Sequence, residues 1–242
     1  MNNGRVRIGE AAKILSVSTQ TLRNWEASGK LRPSRSAGKQ RYYALKDLEH
    51  FAPDLQKLGL AWASSALPPE LPSRYYSERL DRFTSRVAKM GTELQRVGQI
   101  SEDLASLLTL VAGEIGDNSF AHNVGNWPDV QGVFYAYDIA KRIIVLADRG
   151  RGVKKTLSPV RSGIISDTQA LGVAFTEIVS GRSPEKRGNG LKVVRGVAET
   201  NPIGLTFRSG LGLLTIPLEK PAKMRIKMAR DNIRGTFAVI LF

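Results

Sequence analysis

The chain has 242 residues, of which 42% are hydrophobic and 24% charged, a globular composition that excludes extended disorder. Its 36 Lys and Arg residues against 22 Asp and Glu residues give a formal charge of +14, which favours a polyanionic partner such as nucleic acid, nucleotide phosphates or a membrane surface. The absence of cysteine excludes disulfides, thiolate metal sites and cysteine nucleophiles.

The N-terminal segment, residues 1–5, lacks the apolar core of a signal peptide. No apolar run approaches the ~18 residues that a membrane span needs. We therefore expect a cytoplasmic protein without a membrane partner, built from a small domain followed by a medium-sized one.

Two short helices joined by a sharp turn are predicted near the N-terminus. Apolar residues recur at helical spacing over residues 7–15 and again, after a break at residues 16–18, over residues 22–25. Ser18 or Thr19 can cap the second helix by accepting backbone N–H bonds. The outer face of that helix has side chains suited to phosphates and base edges: Thr19, Gln20, Arg23 and Asn24.

A β-hairpin with a basic tip is predicted next. Residues 31–33 and 41–43 flank the polar loop of residues 34–40, which includes Lys39, and another helix is expected to start at Asp47. Such a hairpin forms a wing beside the two helices. We expect Leu22, Trp25, Leu48 and one of the wing tyrosines to form the core of this small domain.

The stretch from V-R-I-G-E-A-A-K-I-L to R-Y-Y-A-L-K-D-L resembles the winged helix-turn-helix domain of the MerR family along its full length. The resemblance implies binding to double-stranded DNA, with Arg23 and its neighbours in the major groove and Arg41 and Tyr42 of the wing on the backbone beside it. Lys39 is expected to contact DNA as well. Phosphate contacts would supply most of the affinity. Where the family usually has an aromatic pair before the glutamate, this sequence has Asn24-Trp25.

A helical connector follows, and we assign residues 1–60, 61–100 and 101–242 to the winged domain, the connector and a larger domain. Proline at position 53 and the Pro-rich run at residues 67–73 prevent continuous helix, so the domain boundary is expected between residues 60 and 74. Apolar residues then alternate steps of four and three, as in a coiled coil: Tyr76, Leu80, Phe83, Val87, Met90, Leu94 and Val97.

Two interpretations of this apolar stripe remain open. MerR relatives dimerise through helices that follow the winged domain, which favours a homodimer. Alternatively, the helix lies on the following domain within one chain, since Gly91 and Gly98 would each weaken a free-standing helix by about 1 kcal/mol relative to Ala.

A longer helix is predicted from Leu104 to Asn123, and on it Glu114, Asn118 and His122 share one face. The segment E-I-G-D-N-S-F-A-H-N resembles the N-box of the GHKL superfamily, which includes gyrase, heat-shock chaperones, histidine kinases and MutL. The resemblance implies that ATP and Mg²⁺ are bound, with Asn118 as the Mg²⁺ ligand. Glu114 would orient or deprotonate an attacking water in a member that hydrolyses ATP.

Two strand-like runs at residues 133–137 and 143–147 lead to the sequence D-R-G-R-G. This sequence resembles the G1 box of the same superfamily. The resemblance implies that Asp148 accepts a hydrogen bond from the adenine amine. Gly150 and Gly152 would let the ligand approach the backbone.

A third box, R-G-N-G-L-K-V-V, resembles the G2 box, in which a phosphate lies at the start of a helix. Its predicted ligand residues are Gly188, Gly190 and Leu191, with Lys186 and Arg187 adding positive charge. The stretch of residues 158–187 matches the position of the ATP lid in the superfamily. The final segment resembles the closing G-T-x-F strand, in which Thr236 is expected to reach a phosphate.

The expected fold class is α+β: a small winged helix-turn-helix domain, a helical connector and a two-layer α/β sandwich of the GHKL type. The leading functional prediction is a DNA-binding transcription regulator whose state is set by ATP and Mg²⁺. One alternative is a DNA-recruited ATPase or an anti-sigma-like serine kinase. Another is an ATP-binding module that works with a neighbouring protein in a toxin–antitoxin or defence system. Autophosphorylation is disfavoured, because the histidines are His50, beside the winged domain, and His122, inside the N-box.

Overall fold

The computed structural model describes residues 4–15, 17–49, 51–96, 99–178 and 189–242. The chain divides into two compact units, Met1–Asp54 and Leu55–Phe242. The boundary therefore precedes the range of residues 60–74 that the sequence predicted. The physical reason is that the first helix after the boundary buries Trp62 and Ala63 in the core of the second unit, so this segment is not a linker.

The first unit is a small helical unit with a three-stranded antiparallel sheet in the order β1-β3-β2, within the described residues. Its core is formed by apolar side chains from α1, α2 and α3, from the sheet and from the segment after α2, among them Ala11, Leu15, Leu22, Leu31, Tyr43 and Leu48. Its elements are β1 (Arg5–Arg7), α1 (Ile8–Leu15), α2 (Thr19–Ala27), β2 (Ser34–Arg35), β3 (Arg41–Ala44) and α3 (Leu45–Glu49).

The predicted helix–turn–helix and wing are confirmed. Ser18 caps α2, since its Oγ accepts a hydrogen bond from the backbone N–H of Thr21 over 2.9 Å. The wing hairpin is formed by β2 and β3, and Tyr43 is the wing tyrosine that enters the core. Its first strand is Ser34–Arg35, inside the predicted polar loop, rather than residues 31–33. Two further details differ: β1 was not predicted, because three residues are too few for a periodic signal, and α3 starts at Leu45 rather than Asp47.

The second unit is an α+β unit whose five-stranded sheet, among the residues described, is antiparallel in the order β4-β5-β6-β8-β7. A 3-10 turn at Ser73–Tyr75 precedes the first of these strands. The remaining elements are α4 (Leu55–Ser64), β4 (Tyr76–Ser77), α5 (Leu80–Arg96), α6 (Glu102–Asn123), β5 (Val133–Asp138), β6 (Ile143–Asp148), α7 (Gly152–Leu157), α8 (Asp167–Thr176), α9 (Gly190–Thr200), β7 (Gly204–Ile216) and β8 (Arg225–Leu241).

Helices cover both faces of this sheet. One face packs Tyr135 and Ile144 against a core to which α5, α6, α8 and α9 contribute. The other face packs Phe134 and Val145 against α4. The predicted two-layer sandwich is therefore corrected, because α4 adds a third layer. The sequence signal for it was present: strands buried on both faces give continuous apolar runs rather than alternation.

The apolar stripe of α5 lies within the second unit. Phe83, Val87, Met90 and Leu94 are buried in the core, where α5 packs on α6. Tyr76 belongs to β4, Leu80 is exposed, and Val97 lies outside the described residues. This packing favours the intramolecular interpretation, and a homodimer would need a different surface. Over the described residues, no helix combines the length and the apolar character required to cross a membrane.

Candidate functional site

A cavity of about 440 Å³ lies in the second unit between α6, the segment after β6, the start of α9 and the sheet. Small-molecule sites are typically cavities of ~300–1,000 Å³. The cavity brings together residues from all the predicted nucleotide motifs, which are far apart in the sequence. The predicted site residues that line it are Glu114, Asn118, Asp148, Gly152, Gly190, Leu191 and Thr236.

Asp148 is the buried acid of this cavity, with 1% of its surface exposed. Its Oδ2 accepts hydrogen bonds from Ser119 Oγ over 2.7 Å and from Thr236 Oγ1 over 2.5 Å. Its Oδ1 accepts from the backbone N–H groups of Gly150 over 2.8 Å and Thr236 over 3.2 Å. Four donors therefore fix the orientation of the carboxylate, which has about four acceptor positions.

Burial raises the pKa of the Asp148 carboxyl, and the hydrogen bonds from Thr236 and Ser119 oppose this effect. A ligand amine that bonds to Asp148 has to replace one of the protein donors. Ser119 can give way, because the backbone oxygen of Ile115 lies 3.5 Å from its Oγ as an alternative acceptor. The other three donors to the Asp148 carboxylate do not depend on Ser119.

The start of α9 lies against the polar face of α6. A Cβ atom on Gly190 would lie 2.3 Å from Glu114 Oε2 and 3.3 Å from Asn118 Nδ2. Glu114 and Asn118 are half-buried and one helical turn apart on α6. The N-terminus of α9, whose dipole favours anions, and two oxygen-bearing side chains thus meet at one edge of the cavity.

The remaining predicted site residues have different positions. Thr236 lies beside Asp148 rather than beside Gly190, so it belongs to the acid end of the cavity and not to the end where a phosphate was expected. Gly150 supports Asp148 through its N–H and is not among the lining residues. Three predicted residues, Lys186, Arg187 and Gly188, lie outside the described residues.

Gly235 is required directly beneath Asp148. Its φ of +55° is in the left-handed region that favours glycine, and a Cβ at this position would lie 2.1 Å from Asp148 Oδ1. The sequence G-T-x-F thus places both Gly235 and Thr236 against the same carboxylate. Apolar side chains form much of the remaining wall, which suits a flat aromatic ring: Ile115, Val153, Leu157, Leu191 and Phe207.

Sequence reasoning missed several polar residues of this site. Ser119, Asn123 and Ser209 are buried, and each makes hydrogen bonds around the loop that follows β6. Ser119 directly follows Asn118, but adjacent residues on a helix do not share a face, so helical spacing gave no signal for it. The missed helix α8 did have a signal, the capping box in which Ser166 Oγ accepts from the N–H of Gln169 over 3.1 Å.

No group of three or more His, Asp or Glu residues that could hold a metal ion occurs in the described part of the chain. A magnesium ion bound with a nucleotide does not require such a group, because it uses one or two protein oxygens together with phosphate oxygens and waters. The Oδ1 of Asn118, with Glu114 one turn away, fits this more limited role.

Arg149, next to Asp148, points to the opposite side of the sheet and is completely buried. It donates to the backbone oxygens of Trp62, Ser65 and Ala66 at and beyond the end of α4, and to Oδ2 of Asp129. Cations are favourable at helix C-termini, where carbonyl groups have no partner within the helix. The loop that orients Asp148 is therefore anchored to α4.

The first unit presents a polar helix face. Gln20 and Asn24 are exposed on α2 and bonded to each other, with Gln20 Nε2 donating to Asn24 Oδ1 over 3.1 Å. Arg23 is exposed and donates to Gln20 Oε1 over 3.3 Å. Thr19, half-buried, begins the helix. This is a row of donors and acceptors suited to base edges and phosphates.

Comparison with protein-family models matches residues 7–43 to the MerR family of regulatory proteins. The first unit has a MerR-family helix-turn-helix domain. The match covers both helices and the wing up to Tyr43, and it ends before the second unit begins. A search of curated proteins gave no match to the chain.

In this MerR-family domain an ion-pair cluster holds the wing on α2. Glu26 receives Arg41 Nε at Oε2 over 2.6 Å and Arg35 Nη2 at Oε1 over 2.5 Å. These hydrogen bonds lower the pKa of Glu26 below its ordinary value. Arg41 thus fixes the wing in the free protein, whereas Lys39, at the wing tip with φ of +59°, is exposed. Tyr42 is half-buried and donates to Gln40.

Proposed function

We propose that the protein is a DNA-binding transcription regulator whose second unit binds ATP together with Mg²⁺. The MerR-family domain indicates DNA binding and regulation of transcription. One observation supports the binding of ATP and Mg²⁺. Residues of the three predicted boxes and of the closing strand line a single cavity, although they are as far apart in the sequence as Glu114 and Thr236.

In the proposed DNA complex, α2 would enter the major groove. Arg23 and Asn24 lie on its exposed face and carry the donors and acceptors that base edges require. Lys39 at the wing tip would contact backbone phosphate. An Arg23→Ala variant is expected to weaken binding to the target duplex by about 1–3 kcal/mol.

The nucleotide half is of the GHKL type. Asp148 would accept from the adenine amine, the apolar wall would hold the ring, and the N-terminus of α9 at Gly190 would face the phosphates. Asn118 would hold Mg²⁺, which when bound neutralises part of the charge on the phosphate oxygens.

A titration of fluorescent ATP into the wild type and an Asp148→Asn variant tests the nucleotide half. In the wild type the hydroxyl groups of Ser119 and Thr236 donate to the carboxylate. The amide of the variant would present its own N–H donors to them, so the side chain at position 148 would lose its defined orientation. We expect at least a tenfold loss of affinity. Asp138→Asn is the matched control, because Asp138 also ends a strand but lies at the opposite end of the β5–β6 pair. Equal affinity in all three proteins would contradict the proposal.

The link between the halves is tested by measuring duplex binding with and without saturating ATP. Arg149 joins the Asp148 loop to the end of α4, the first helix after the MerR-family unit in the chain. A ligand shifts such an equilibrium only through different affinities for the two states. We expect ATP to change the DNA affinity of the wild type and not that of Asp148→Asn. An unchanged wild type would remove the regulatory link but leave both binding activities standing.

A second candidate function is ATP hydrolysis on DNA, and the position of Glu114 favours it. Its carboxylate lies at the edge of the cavity where α6 meets the start of α9. There it would orient a water for attack on a bound nucleotide. Steady phosphate release that Glu114→Ala abolishes, with ATP affinity retained, would establish an ATPase. Absence of release from the wild type would leave a binding protein.

A further inference from the structure

The excess positive charge of the chain is not confined to the MerR-family unit. The first 54 residues contain ten Lys and Arg against five Asp and Glu, whereas the second unit contains 26 against 17. The sequence of residues 204–241, which spans β7 and β8, has seven basic and two acidic residues. A second polyanion-binding surface is therefore to be sought on this pair of strands.

Two basic residues of β8 lie on the same side of the paired strands. Ile226 and Met224 pack against the core beneath α8, with Ile226 Cδ1 3.9 Å from the position of a Cβ on Gly172. Because side chains alternate along a strand, Arg225 and Lys227 point away from that core.

The neighbouring strand has the same arrangement. Leu214 is buried in the core, so Leu213 and Thr215, which pair with Lys227 and Arg225, lie on the outer side. Phe207 packs on Phe175, which places Arg208 on the outer side as well. We call this surface the ribbon face and define it by Thr206, Thr215, Arg225 and Lys227. Arg208 is not counted, because its guanidinium donates to the backbone oxygen of Asp231.

The two cations of the ribbon face have no carboxylate partner among the described residues. Arg225 and Lys227 are exposed, and neither takes part in an ion pair there. They are two residues apart on one strand, so their Cα atoms are separated by about 7 Å. This differs from Arg149, whose charge is satisfied internally by Asp129. The ribbon face therefore has positive charge available for an external anion.

We propose that the ribbon face binds the phosphate backbone of double-stranded DNA. Arg, Lys and Thr side chains are the usual donors to phosphate oxygens, and all three types occur on this face. Duplex DNA is the polyanion to which the MerR-family unit of the same chain is proposed to bind. Where one duplex reaches both surfaces, a second, sequence-independent contact raises the overall affinity. The inference thus rests on the proposed function and extends it by adding a second DNA-binding surface.

Fluorescence anisotropy with a labelled random-sequence duplex and the full chain tests the ribbon face. We expect Arg225→Glu with Lys227→Glu to lower the affinity on the order of tenfold at low salt. The slope of log affinity against log salt should fall by about 0.9 for each phosphate group that the variant no longer neutralises. Replacing the same two residues with Gln should lower the affinity less than replacing them with Glu, because Gln removes the positive charges without adding negative ones. The matched control is Lys89→Glu with Arg96→Glu, the same charge change on exposed positions of α5.

Equal decreases of affinity in the ribbon and control variants would show a general charge effect and overturn the proposal. Unchanged affinity in the ribbon variants would also overturn it. The proposal would also be overturned if the protein bound single-stranded RNA or anionic phospholipid vesicles more tightly than duplex DNA at the same salt concentration, and if the ribbon variants lost this preference. The Arg23→Ala variant distinguishes the two surfaces. If only Arg23→Ala binds DNA more weakly, DNA is bound by the MerR-family unit and not by the ribbon face. If only the ribbon variants bind more weakly, DNA is bound by the ribbon face and not through Arg23.

Discussion

Arg149 and Asp129 form an ion pair in which the arginine is fully buried, with Nη2 and Nε of Arg149 lying 2.6 and 2.9 Å from Oδ2 of Asp129. Three backbone oxygens around the end of α4 accept the remaining hydrogen bonds of the guanidinium. A buried arginine without its carboxylate would be an uncompensated charge. The pair therefore stabilises the junction between α4 and the loop that orients Asp148.

Asp129→Ala is expected to destabilise the second unit by about 3–5 kcal/mol, because it leaves the Arg149 charge buried and unpaired. Urea unfolding followed by tryptophan fluorescence measures this, since Trp62, whose ring is close to Arg149, contributes to the signal. The matched control is Glu177→Ala, which breaks the exposed ion pair with Arg161 and should leave the unfolding midpoint unchanged. Similar midpoints for both variants would contradict the assigned role of Asp129.

Gly235→Ala is expected to destabilise the second unit by at least ~2 kcal/mol and to abolish nucleotide binding. The left-handed backbone alone costs an L-residue about 1–2 kcal/mol, and the new Cβ would collide with the Asp148 carboxylate. Gly196→Ala, within α9 and with nothing within 4 Å of the new Cβ, should stabilise by about 0.5–1 kcal/mol. Calorimetry measures the change in unfolding free energy of both variants. A Gly235→Ala protein with the stability of the wild type and normal ATP binding would refute the role given to Gly235.

Gly190→Ala separates ligand binding from stability. The new Cβ would displace Glu114 Oε2, a flexible side-chain end that can move, so the unfolding free energy should change little. If this end of the cavity holds the phosphates, as proposed, the ATP affinity should fall on the order of tenfold, about 1.4 kcal/mol, because the new Cβ narrows it. Gly113→Ala, next to Glu114 but with open space around its Cβ, should bind ATP as the wild type does. Isothermal titration of both proteins provides the comparison.

The wing should loosen in acid. Because the folded-state pKa of Glu26 lies below its ordinary value of 4.5, its contribution to stability is complete above that pH and is lost as the pH falls through the folded-state value. The difference in stability between the wild type and Glu26→Gln should therefore be largest at neutral pH and shrink below pH 4.5. The stability of this unit in each protein can be measured at each pH from the indole N–H signal of Trp25 in NMR spectra, because Trp25 lies on α2. A difference that grows in acid would reverse the assigned sign.

Local patterns were sufficient for most individual elements. The helical periodicity of residues 7–15, the cap at Ser18 and the wing hairpin come from interactions between residues close in sequence, and each is confirmed, although the first wing strand lies at residues 34–35 rather than 31–33. The same holds for the strands that end at Asp138 and Asp148. The missed elements are short or lay where no periodicity was sought, as β1 and α8 illustrate.

The predicted nucleotide residues were chosen by resemblance alone, and only tertiary structure could bring them together. Glu114 and Gly190 meet because α6 and α9 pack side by side, which no local spacing expresses. The role of Thr236 changed for the same reason, since the pairing of β6 with β8 puts it against Asp148. Ser119 was missed because its importance depends on that buried carboxylate.

The sequence by itself determined the charge, the periodicities, the caps and turns, and the MerR-family pattern, because these depend on residue type and short-range spacing. The tertiary structure decided which apolar faces were already covered. An apolar stripe such as that of α5 gains the same free energy of burial against a second chain or against its own α6, so its spacing cannot distinguish them. The partners of Arg149 and Glu26 were likewise decided by packing, which brings together charges that the sequence separates.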